Sequence, residues 1–331
     1  MNRLLSTILI LFFIGELHAQ EQAPKPLFDD KIYHGAADPV VIWNPKKKVW
    51  WMFYTNRRAS LNDTTGVAWV HGTRIGIAES KDGNSWNYVD TADIGYRPDS
   101  GYTFWAPDVI AHEGVYHMYL TYVPGIFLDW NHPRFIVHLT STDLLHWKYE
   151  SVLNLVNQKV IDASVFRLPD GSWRLWYNNE RDGKSIYYAD SKDLYHWLDK
   201  GKAIASRGEG PKTFAWQGKY FMVVDAWKGL EIYSSSDLLN WTKQSERILE
   251  RPGTGVDDQA IGGHCDVVVN DGRAYLFYFT HPGRRKDAPA KRNSFEDKRS
   301  VIQVAELRYE GGEVKCDRDE RIVVRLVAPA D

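Results

Sequence analysis

Runs of aromatic and β-branched residues, each opened by a turn signal or a polar stretch, recur five times along this chain. They occupy residues 48–55, 114–122, 171–178, 218–225 and 272–280. Runs of this kind are typical of β-strands. Apolar positions at helical spacing are missing over any useful length. The pattern therefore predicts an all-β fold with a five-fold internal repeat.

Two other signals repeat in step with these runs. A Ser-x-Asp-x-x-x-Trp unit, typical of a tight turn followed by a Trp that covers a sheet end, begins at Ser80, Ser141, Ser191 and Ser235. A further strand precedes each aromatic run, and it opens with an ionisable residue before it turns apolar. These openings are Asp38-Pro39-Val40, Asp108-Val109-Ile110, Asp162-Ala163-Ser164, Glu209-Gly210-Pro211 and His264-Cys265-Asp266.

The three repeating signals predict a five-bladed β-propeller with four-stranded blades, whose ring closure leaves few exposed strand edges. A β-sandwich would not explain five matched repeats. Residues 321–326 are the expected closing strand. Residues 1–19 combine a positive charge, a short apolar run and a small residue at a cleavage site, so we predict a signal peptide there. We expect a single propeller domain over residues 20–331 that works in the periplasm or outside the cell.

The first strand of each propeller blade lines the central axis, so we expect the five ionisable openings to meet at one point. Burying four carboxylates and an imidazole together costs stability, because like charges repel in a poorly solvated site. The cluster therefore indicates a functional site. The alternative is that some of these residues cap strands or bond to neighbouring blades. It stays open above all for Asp108, which follows Trp105-Ala106-Pro107.

Composition and charge narrow the class of ligand. The net charge is −2, which provides no strong field for nucleic acid or a membrane surface, so neither is an expected partner. The 14 Trp and 18 Tyr suit both sheet packing and stacking against sugar rings. Glycoside hydrolysis needs one carboxylic acid to protonate the leaving oxygen and one carboxylate to activate water or attack directly. Three carboxyl groups around one pocket fit this chemistry, because the third can orient the acid.

Four short motifs at the strand openings resemble those of glycoside hydrolase family 43 and its five-bladed relatives. They are Asp38-Pro39, Trp105-Ala106-Pro107-Asp108-Val109, Ile161-Asp162-Ala163 and Glu209-Gly210-Pro211. The resemblance implies an inverting hydrolysis, with acid and base about 6.5–9.5 Å apart to leave room for water. It implies that Asp38 is the general base and Glu209 the general acid. Asp162 would keep Glu209 protonated and position it.

The fifth blade carries two further resemblances, one to family 43 and one to a related family. Gly263-His264 resembles the family 43 histidine that points to the axis beside a bound calcium or water. No cofactor is expected to be required, and calcium at the axis is left open, since calcium prefers oxygen ligands to imidazole. Residues 257–259, 262–264 and 281–283 are similar to glycoside hydrolase family 117, whose members remove anhydrogalactose from agar oligosaccharides and use a histidine acid. Glu at the acid motif favours family 43 chemistry.

Several residues are expected to bind the substrate by stacking or hydrogen bonding: Trp105, Asp108, His264, Arg57 and Trp227. Trp130 is a further stacking candidate, and core packing is the alternative for each tryptophan. Two insertions, residues 56–73 and 281–299, are expected to line the pocket mouth and favour action on chain ends. The second is basic and could hold an acidic sugar, although a solvated loop is the preferred interpretation.

The sequence thus predicts a secreted, exo-acting, inverting glycoside hydrolase that cleaves a terminal sugar from plant or algal oligosaccharides. The alternatives are a non-catalytic carbohydrate-binding propeller and a family 117-like hydrolase with a histidine acid. Cys265 and Cys316 are either bridged or free thiols, since an oxidising compartment permits a bridge. The residues do not determine the sugar, its linkage or the oligomeric state.

Overall fold

Each sequence repeat forms a sheet of four antiparallel strands in chain order, and one of the five sheets gains an additional short strand. The computed structural model describes residues 21–62, 65–96 and 101–329. The predicted signal peptide, residues 1–19, lies outside these ranges. The aromatic runs fall on the second strand of each sheet, where both faces are covered and large apolar side chains pack well. Their burial explains why these five runs are the strongest signal in the sequence.

The first two blades carry the strands before residue 153. Blade one consists of β1 (Ala36–Asn44), β2 (Val49–Asn56), β3 (Arg74–Ser80) and β4 (Asn87–Thr91). A short 3₁₀ turn, Ala68–Val70, lies between β2 and β3. Blade two consists of β6 (Thr103–His112), β7 (Val115–Val123), β8 (Phe135–Ser141) and β9 (His146–Val152), with the short β5 (Asp93–Ile94) added in parallel to β9.

The remaining three blades repeat the same order. Blade three consists of β10 (Val160–Arg167), β11 (Trp173–Asn179), β12 (Ser185–Ser191) and β13 (Trp197–Ile204). Blade four consists of β14 (Glu209–Trp216), β15 (Lys219–Asp225), β16 (Leu230–Ser235) and β17 (Thr242–Lys243). Blade five consists of β18 (Gly263–Asn270), β19 (Arg273–Thr280), β20 (Val301–Glu310) and β21 (Glu313–Cys316), with a helical turn α1 (Phe295–Lys298) before β20.

The first strands of the five blades pack side by side in a closed ring, in the order β1, β6, β10, β14, β18 and back to β1. The predicted five-bladed β-propeller is confirmed. Apolar side chains fill the space between adjacent blades, as where Trp51 and Phe53 of blade one meet Met118 and Leu120 of blade two. Among the described residues, no helix is long and apolar enough to cross a membrane.

The Ser-x-Asp-x-x-x-Trp units have the structural role expected of them. In blade one, the Ser80 hydroxyl accepts a hydrogen bond from the Gly83 amide at 2.8 Å, and the Trp86 indole donates to the Gly83 carbonyl at 2.8 Å. Blades two and three repeat this turn, with Trp147 and Trp197 donating to the equivalent carbonyl. These turns hold the third and fourth strands of a blade together.

Residues 321–326 do not form the closing strand that their apolar pattern predicts. The fourth position of blade five is already filled by β21, so these residues are not needed to complete that blade. They cross instead to blade one, where the Leu326 amide donates to the Asp82 carbonyl at 2.7 Å and the Val324 amide donates to Asn84 Oδ1 at 3.0 Å. Val324 and Leu326 are buried there, so the segment seals the seam between blades five and one.

The N-terminal segment packs into the same seam. Phe28 forms an isolated bridge with Ile302 of β20, and Ala23 donates a backbone hydrogen bond to the Ile322 carbonyl. Cys265 is buried and Cys316 is partly buried, and both are free thiols, which decides between the two states that the sequence left open.

The antiparallel order gathers one set of loops on a single face. Loops after every second strand, and the links between blades, lie at the end of the propeller where the first strands begin. We call this end the entry face. Its described parts include residues 57–62, 65–73, 124–134, 180–184, 226–229 and 281–300. Loops remote in sequence therefore surround the residues that open the first strands.

Candidate active site

A β-bulge interrupts each first strand close to the entry face. The bulged residue of four blades has a positive φ, which redirects its side chain relative to the regular strand. These four residues are Asp38 (φ 52°), Ala106 (φ 43°), Asp162 (φ 59°) and Gly210 (φ 56°). In blade five the extra residue is His264. The repeat thus brings Asp38, Asp162, His264 and, from the residue before Gly210, Glu209 to one level of the axis.

Hydrogen bonds between blades fix the bulges in place. In each case a side chain of one blade accepts from the bulge amide of the next. Thr55 accepts from Ala106 at 2.8 Å and Thr121 from Asp162 at 3.0 Å. Asp162 itself accepts from Gly210 at 3.0 Å, and Asp225 accepts from His264 at 2.8 Å. The positions of Asp162, of the strand that carries Glu209 and of His264 therefore depend on the neighbouring blade.

Asp38 lies in a cationic and imidazole-rich corner. Arg57 Nη2 donates to both Asp38 oxygens, at 3.1 and 3.3 Å. The same guanidinium lies 4.7 Å from the Phe279 ring and 3.0 Å from Nε2 of His281. His264 Nδ1 lies 3.6 Å from Asp38 Oδ1. Arg57 therefore fixes the orientation of the Asp38 carboxylate, and the sequence-predicted residues Asp38, Arg57 and His264 lie together.

Glu209 occupies the other side of the ring and is partly exposed. Trp227, from the loop after β15, donates its indole N–H to Glu209 Oε1 at 2.8 Å. Lys184 Nζ lies 3.4 Å from Glu209 Oε2. Lys184 and Arg207 flank the Trp227 ring, each 5.0 Å from its centroid. Trp227 was expected to stack on the substrate. In the structure its indole N–H donates a hydrogen bond to Glu209, the predicted acid.

Asp162 is buried between the other two carboxyl groups. Burial raises the pKa of Asp162 well above its ordinary value, and the nearby Glu209 and Asp38 raise it further. Asp225, directly behind Glu209, behaves similarly: burial and then the Glu209 charge raise its pKa to about 7. Two carboxyl groups that adjoin Glu209 are therefore held toward their protonated forms.

His264 is held between Asp38 and the strand that carries Glu209. Burial lowers the pKa of His264, which favours the neutral imidazole. A Cβ atom on Gly210 would lie 2.5 Å from Cγ of His264, closer than real contacts allow. Glycine is required at position 210 by this approach as well as by its positive φ. The Gly in the acid motif therefore makes room for the histidine.

Two sequence-predicted residues lie elsewhere. Asp108 follows the bulge by two residues, so Ala106 takes the position that we expected Asp108 to occupy. Asp108 is 3% exposed and accepts a hydrogen bond from the Val165 amide at 2.7 Å, deeper along the axis. Trp105 is also buried, and its indole donates to the Val70 carbonyl at 2.6 Å. Asp108 thus bonds to a neighbouring blade and Trp105 packs in the core, as the two alternative interpretations predicted.

Other residues of the site were missed by the sequence reasoning. Five residues lie at the axis or its rim and contact another blade: Asp225, Lys184, Glu180, Arg134 and Lys212. Lys212 alone had a local signal, because it is a lysine three residues after Glu209 in a strand that should face the axis. The others come from loops or strand ends with no repeating pattern.

The residues at the axis do not fit a calcium ion. Calcium takes six to eight oxygen ligands. Below Asp38 and Glu209, the axis holds two carboxylates, Asp108 and Asp266, and the ammonium of Lys212 lies between them at 2.9 Å from each. Within the described ranges, no group of three or more His, Cys, Asp or Glu side chains is arranged to hold a metal ion.

Ion pairs occupy the first two arginines of the basic loop in blade five. Arg284 pairs with Asp297, and Arg285 pairs with Asp287. The Arg284 guanidinium also lies 5.7 Å from the Trp69 ring of blade one. These contacts agree with the preferred interpretation of a solvated loop and tie the loop to its neighbour across the pocket mouth.

A protein-family comparison matches the central part of this chain. The model for glycosyl hydrolases family 43 covers residues 63–226, a stretch that includes Asp162 and Glu209. A fructan β-fructosidase from Streptococcus mutans serotype c is 27% identical over 166 residues, which is 43% of this chain and 11% of that protein. The matches cover between 11% and 39% of the length of the first four curated relatives.

Solved structures share the fold over most of the chain. A thermostable family 43 glycoside hydrolase superimposes with a TM-score of 0.65 at 20% identity, covering 89% of this chain and 95% of that structure. A family 43 β-1,3-galactosidase with galactodeoxynojirimycin gives a TM-score of 0.63 at 14% identity, covering 89% and 97%. The architecture is therefore shared although few residues are.

Proposed function

Because the chain belongs to glycoside hydrolase family 43 or to its close five-bladed relatives, we propose that it hydrolyses a glycosidic bond with Glu209 as acid and Asp38 as base. One observation carries the proposal: three carboxyl groups meet at the entry end of the axis in three different environments. Asp38 accepts hydrogen bonds from Arg57, and Glu209 accepts one from the Trp227 indole. Asp162 is buried and accepts one from the backbone amide of Gly210.

In the proposed reaction, Asp38 removes a proton from water as the water oxygen attacks the anomeric carbon. The sugar would then leave with inverted configuration, as the geometry of an inverting acid–base pair requires. The two hydrogen bonds from Arg57 support this role, because they fix the plane of the carboxylate that receives the proton. The reaction needs one acid, one base and water, and therefore no cofactor.

Glu209 gives its proton to the leaving oxygen as the glycosidic bond breaks. Trp227 holds one of its oxygens, which leaves the other to face the substrate. Lys184, 3.4 Å from that second oxygen, would stabilise the carboxylate that the proton transfer creates. Burial raises the pKa of the neighbouring Asp162 well above its ordinary value and the charge of Glu209 raises it further, so Asp162 is held toward its protonated form beside the acid.

The leaving-group side of the site has a candidate stacking platform. Trp130, on the entry face in the loop after β7, is 51% exposed. A chain of charged contacts leads from it to the acid: Arg134 lies 5.8 Å from the Trp130 ring and 2.8 Å from Glu180, and Lys184 bridges Glu180 to Glu209. We propose that the second sugar of the substrate stacks on Trp130, which favours release of one terminal sugar at a time.

We also propose that the protein is secreted and acts on a neutral plant or algal oligosaccharide. The basic, apolar and small-residue order of residues 1–19 supports export. Internal pairing of Arg284 and Arg285 disfavours an acidic sugar at that rim.

Two other functions are distinguishable. A histidine acid would have to be His264, 3.6 Å from Asp38, but burial lowers its pKa and so favours the imidazole without the proton it would donate. A purely carbohydrate-binding propeller would keep its affinity without Glu209.

The proposal is tested by a sugar-release screen on arabinofuranosides, xylosides, galactosides, fructosides and algal oligosaccharides. Wild type is compared with Asp38→Asn, Glu209→Gln and His264→Asn, and with Asp143→Asn in an outer turn as the matched control. We expect both axial carboxyl variants to lose about 10²–10⁴-fold in kcat and the control to keep full activity. Loss in His264→Asn alone would favour the histidine acid, and binding without release in wild type would favour the lectin-like function.

A further inference from the structure

A lysine ammonium lies on the propeller axis one level below the proposed catalytic carboxyl groups. Lys212 Nζ is 2.9 Å from Asp108 Oδ1 of blade two and 2.9 Å from Asp266 Oδ1 of blade five. Lys212 itself belongs to β14 of blade four. Asp108 and Asp266 are both nearly inaccessible to solvent. The ammonium therefore ties three blades together at their shared centre.

The second oxygen of each aspartate extends this cluster to the other two blades. Asp266 Oδ2 accepts from the Val41 amide at 2.8 Å, on the strand that carries Asp38. Asp108 Oδ2 accepts from the Val165 amide at 2.7 Å, on the strand that carries Asp162. Since Lys212 lies three residues after Glu209, the cluster joins the strands of all three proposed catalytic carboxyl groups.

We propose that the Lys212 ammonium is the resident cation of this axis, taking the place of a bound calcium ion and holding the strands of Asp38, Asp162 and Glu209 in position. Lys212 is thus a positioning residue, and the axis requires no metal.

The electrostatics of the cluster agree with a permanent cation. Burial alone lowers the pKa of a lysine, but Asp108 and Asp266 outweigh it and raise the pKa of Lys212 above its ordinary value. Two buried carboxylates without this charge would repel each other in a poorly solvated place. A cavity of about 490 Å³, lined in part by Lys212 and Asp266, opens from the far end of the axis. Small cations in solution could reach the aspartates through it if the lysine were shortened.

The first test uses wild-type protein and needs no activity. The thermal midpoint is measured after dialysis against a chelator and again with excess calcium. We expect the same midpoint in both, because the cation site is filled by a side chain. A midpoint that falls with the chelator and recovers with calcium would overturn the proposal.

The second test removes the ammonium. Lys212→Ala should melt several degrees below wild type, and methylammonium or calcium should raise the midpoint of this variant by mass action. Lys192→Ala, which shortens an exposed lysine in an outer turn, is the matched control and should respond to neither. A Lys212→Ala protein as stable as wild type, or one insensitive to both cations, would contradict the proposal.

A kinetic readout separates positioning from stability alone. On the sugar released by wild type, Lys212→Ala should lower kcat at least tenfold with a much smaller change in KM, and methylammonium should restore part of kcat. A variant with a lowered midpoint and an unchanged kcat would refute the positioning role. If wild type releases no sugar, the proposed catalysis fails, while the chelator and cation melts still decide whether Lys212 is the axial cation.

Discussion

At the scale of single residues, the site depends on how closely the His264 ring approaches the backbone of Gly210. The Gly210 position illustrates this, because its φ of 56° and the His264 ring 2.5 Å from a built Cβ both exclude a larger residue. We predict that Gly210→Ala displaces His264 and the Glu209 strand, lowering kcat at least tenfold and costing about 1–3 kcal/mol of unfolding free energy. Chemical denaturation and initial rates measure the two effects.

A matched glycine separates strain from displacement in this experiment. Gly201 in β13 also has a positive φ, 91°, but a Cβ there meets nothing within 4 Å. Gly201→Ala should lose some stability through strain and keep its kcat. Equal losses of kcat in both variants would show that the His264 approach has no catalytic importance.

Asp225 gives the molecule a predictable pH dependence. Burial and then Glu209 raise its pKa from 3.8 to about 7. The folded protein therefore keeps a proton that the unfolded chain has lost, and this contribution to stability is complete below pH 3.8 and disappears as the pH rises through about 7. Relative to Asp225→Asn, wild type should lose unfolding free energy between these two pH values, as urea titrations would show.

A second aspartate controls for the substitution itself. Hydrogen bonding from Ser172 lowers the pKa of the exposed Asp170, so its titration lies below that window. The difference between wild type and Asp170→Asn should be constant across the window. A constant difference for Asp225→Asn as well would mean that Asp225 titrates like an exposed carboxyl group.

Residue types and their order predicted Asp38, Asp162, Glu209 and His264 at the axis, because each lies at a repeated strand opening. The same reasoning put Asp108 one level too high, since the position of a β-bulge is set by backbone geometry and not by the motif around it. Asp225 and Lys184 gave no signal, because their importance arises from contacts with a different blade.

At the scale of elements, the bond between one blade's second strand and the next blade's bulge is the recurring device. Thr121 of β7 accepts from the buried Asp162 amide at 3.0 Å. We predict that Thr121→Val costs about 1–3 kcal/mol, because the amide is left without an acceptor. It should also lower kcat, since Asp162 is no longer held. Thermal melting and steady-state kinetics provide the measurements.

Thr140→Val is the control for this change. Thr140, on β8 of the same blade, directs its hydroxyl to Glu150, whose side chain reaches solvent. Its loss should be smaller, and kcat should not change. If Thr140→Val and Thr121→Val were equally harmful, the interblade bond would have no special importance.

At the scale of the whole molecule, segments that are not strands seal the seam between blades five and one. The apolar residues in 321–326 predicted a closing strand. They are buried against the blades but do not pair with a sheet. Removing residues 322–331 exposes the seam and removes Ile322, Val324 and Leu326, each worth roughly 1.5–3 kcal/mol of burial. We predict a clear fall in thermal midpoint, whereas removing only residues 328–331 should leave it unchanged. Equal midpoints for the two truncations would contradict this role.

Five repeated strand pairs were enough to predict the propeller, because each blade buries its own aromatic strand and the same blade structure occurs five times around the ring. What joins the blades, including the Lys212 cluster and the terminal segments, pairs residues as far apart in the chain as Ala23 and Ile322. A local sequence pattern cannot predict such contacts, because the two residues are remote from each other in the chain.

The most direct test of the account compares two aryl glycosides of the sugar that wild type releases, one with an activated and one with an unactivated leaving group. If Glu209 is the acid, Glu209→Ala should lose about 10²–10⁴-fold in kcat on the unactivated substrate and keep near wild-type rates on the activated one, which needs no protonation. Asp38→Asn should lose both activities, because both reactions need the base. Equal losses on the two substrates in Glu209→Ala would contradict the assignment of Glu209 as the acid.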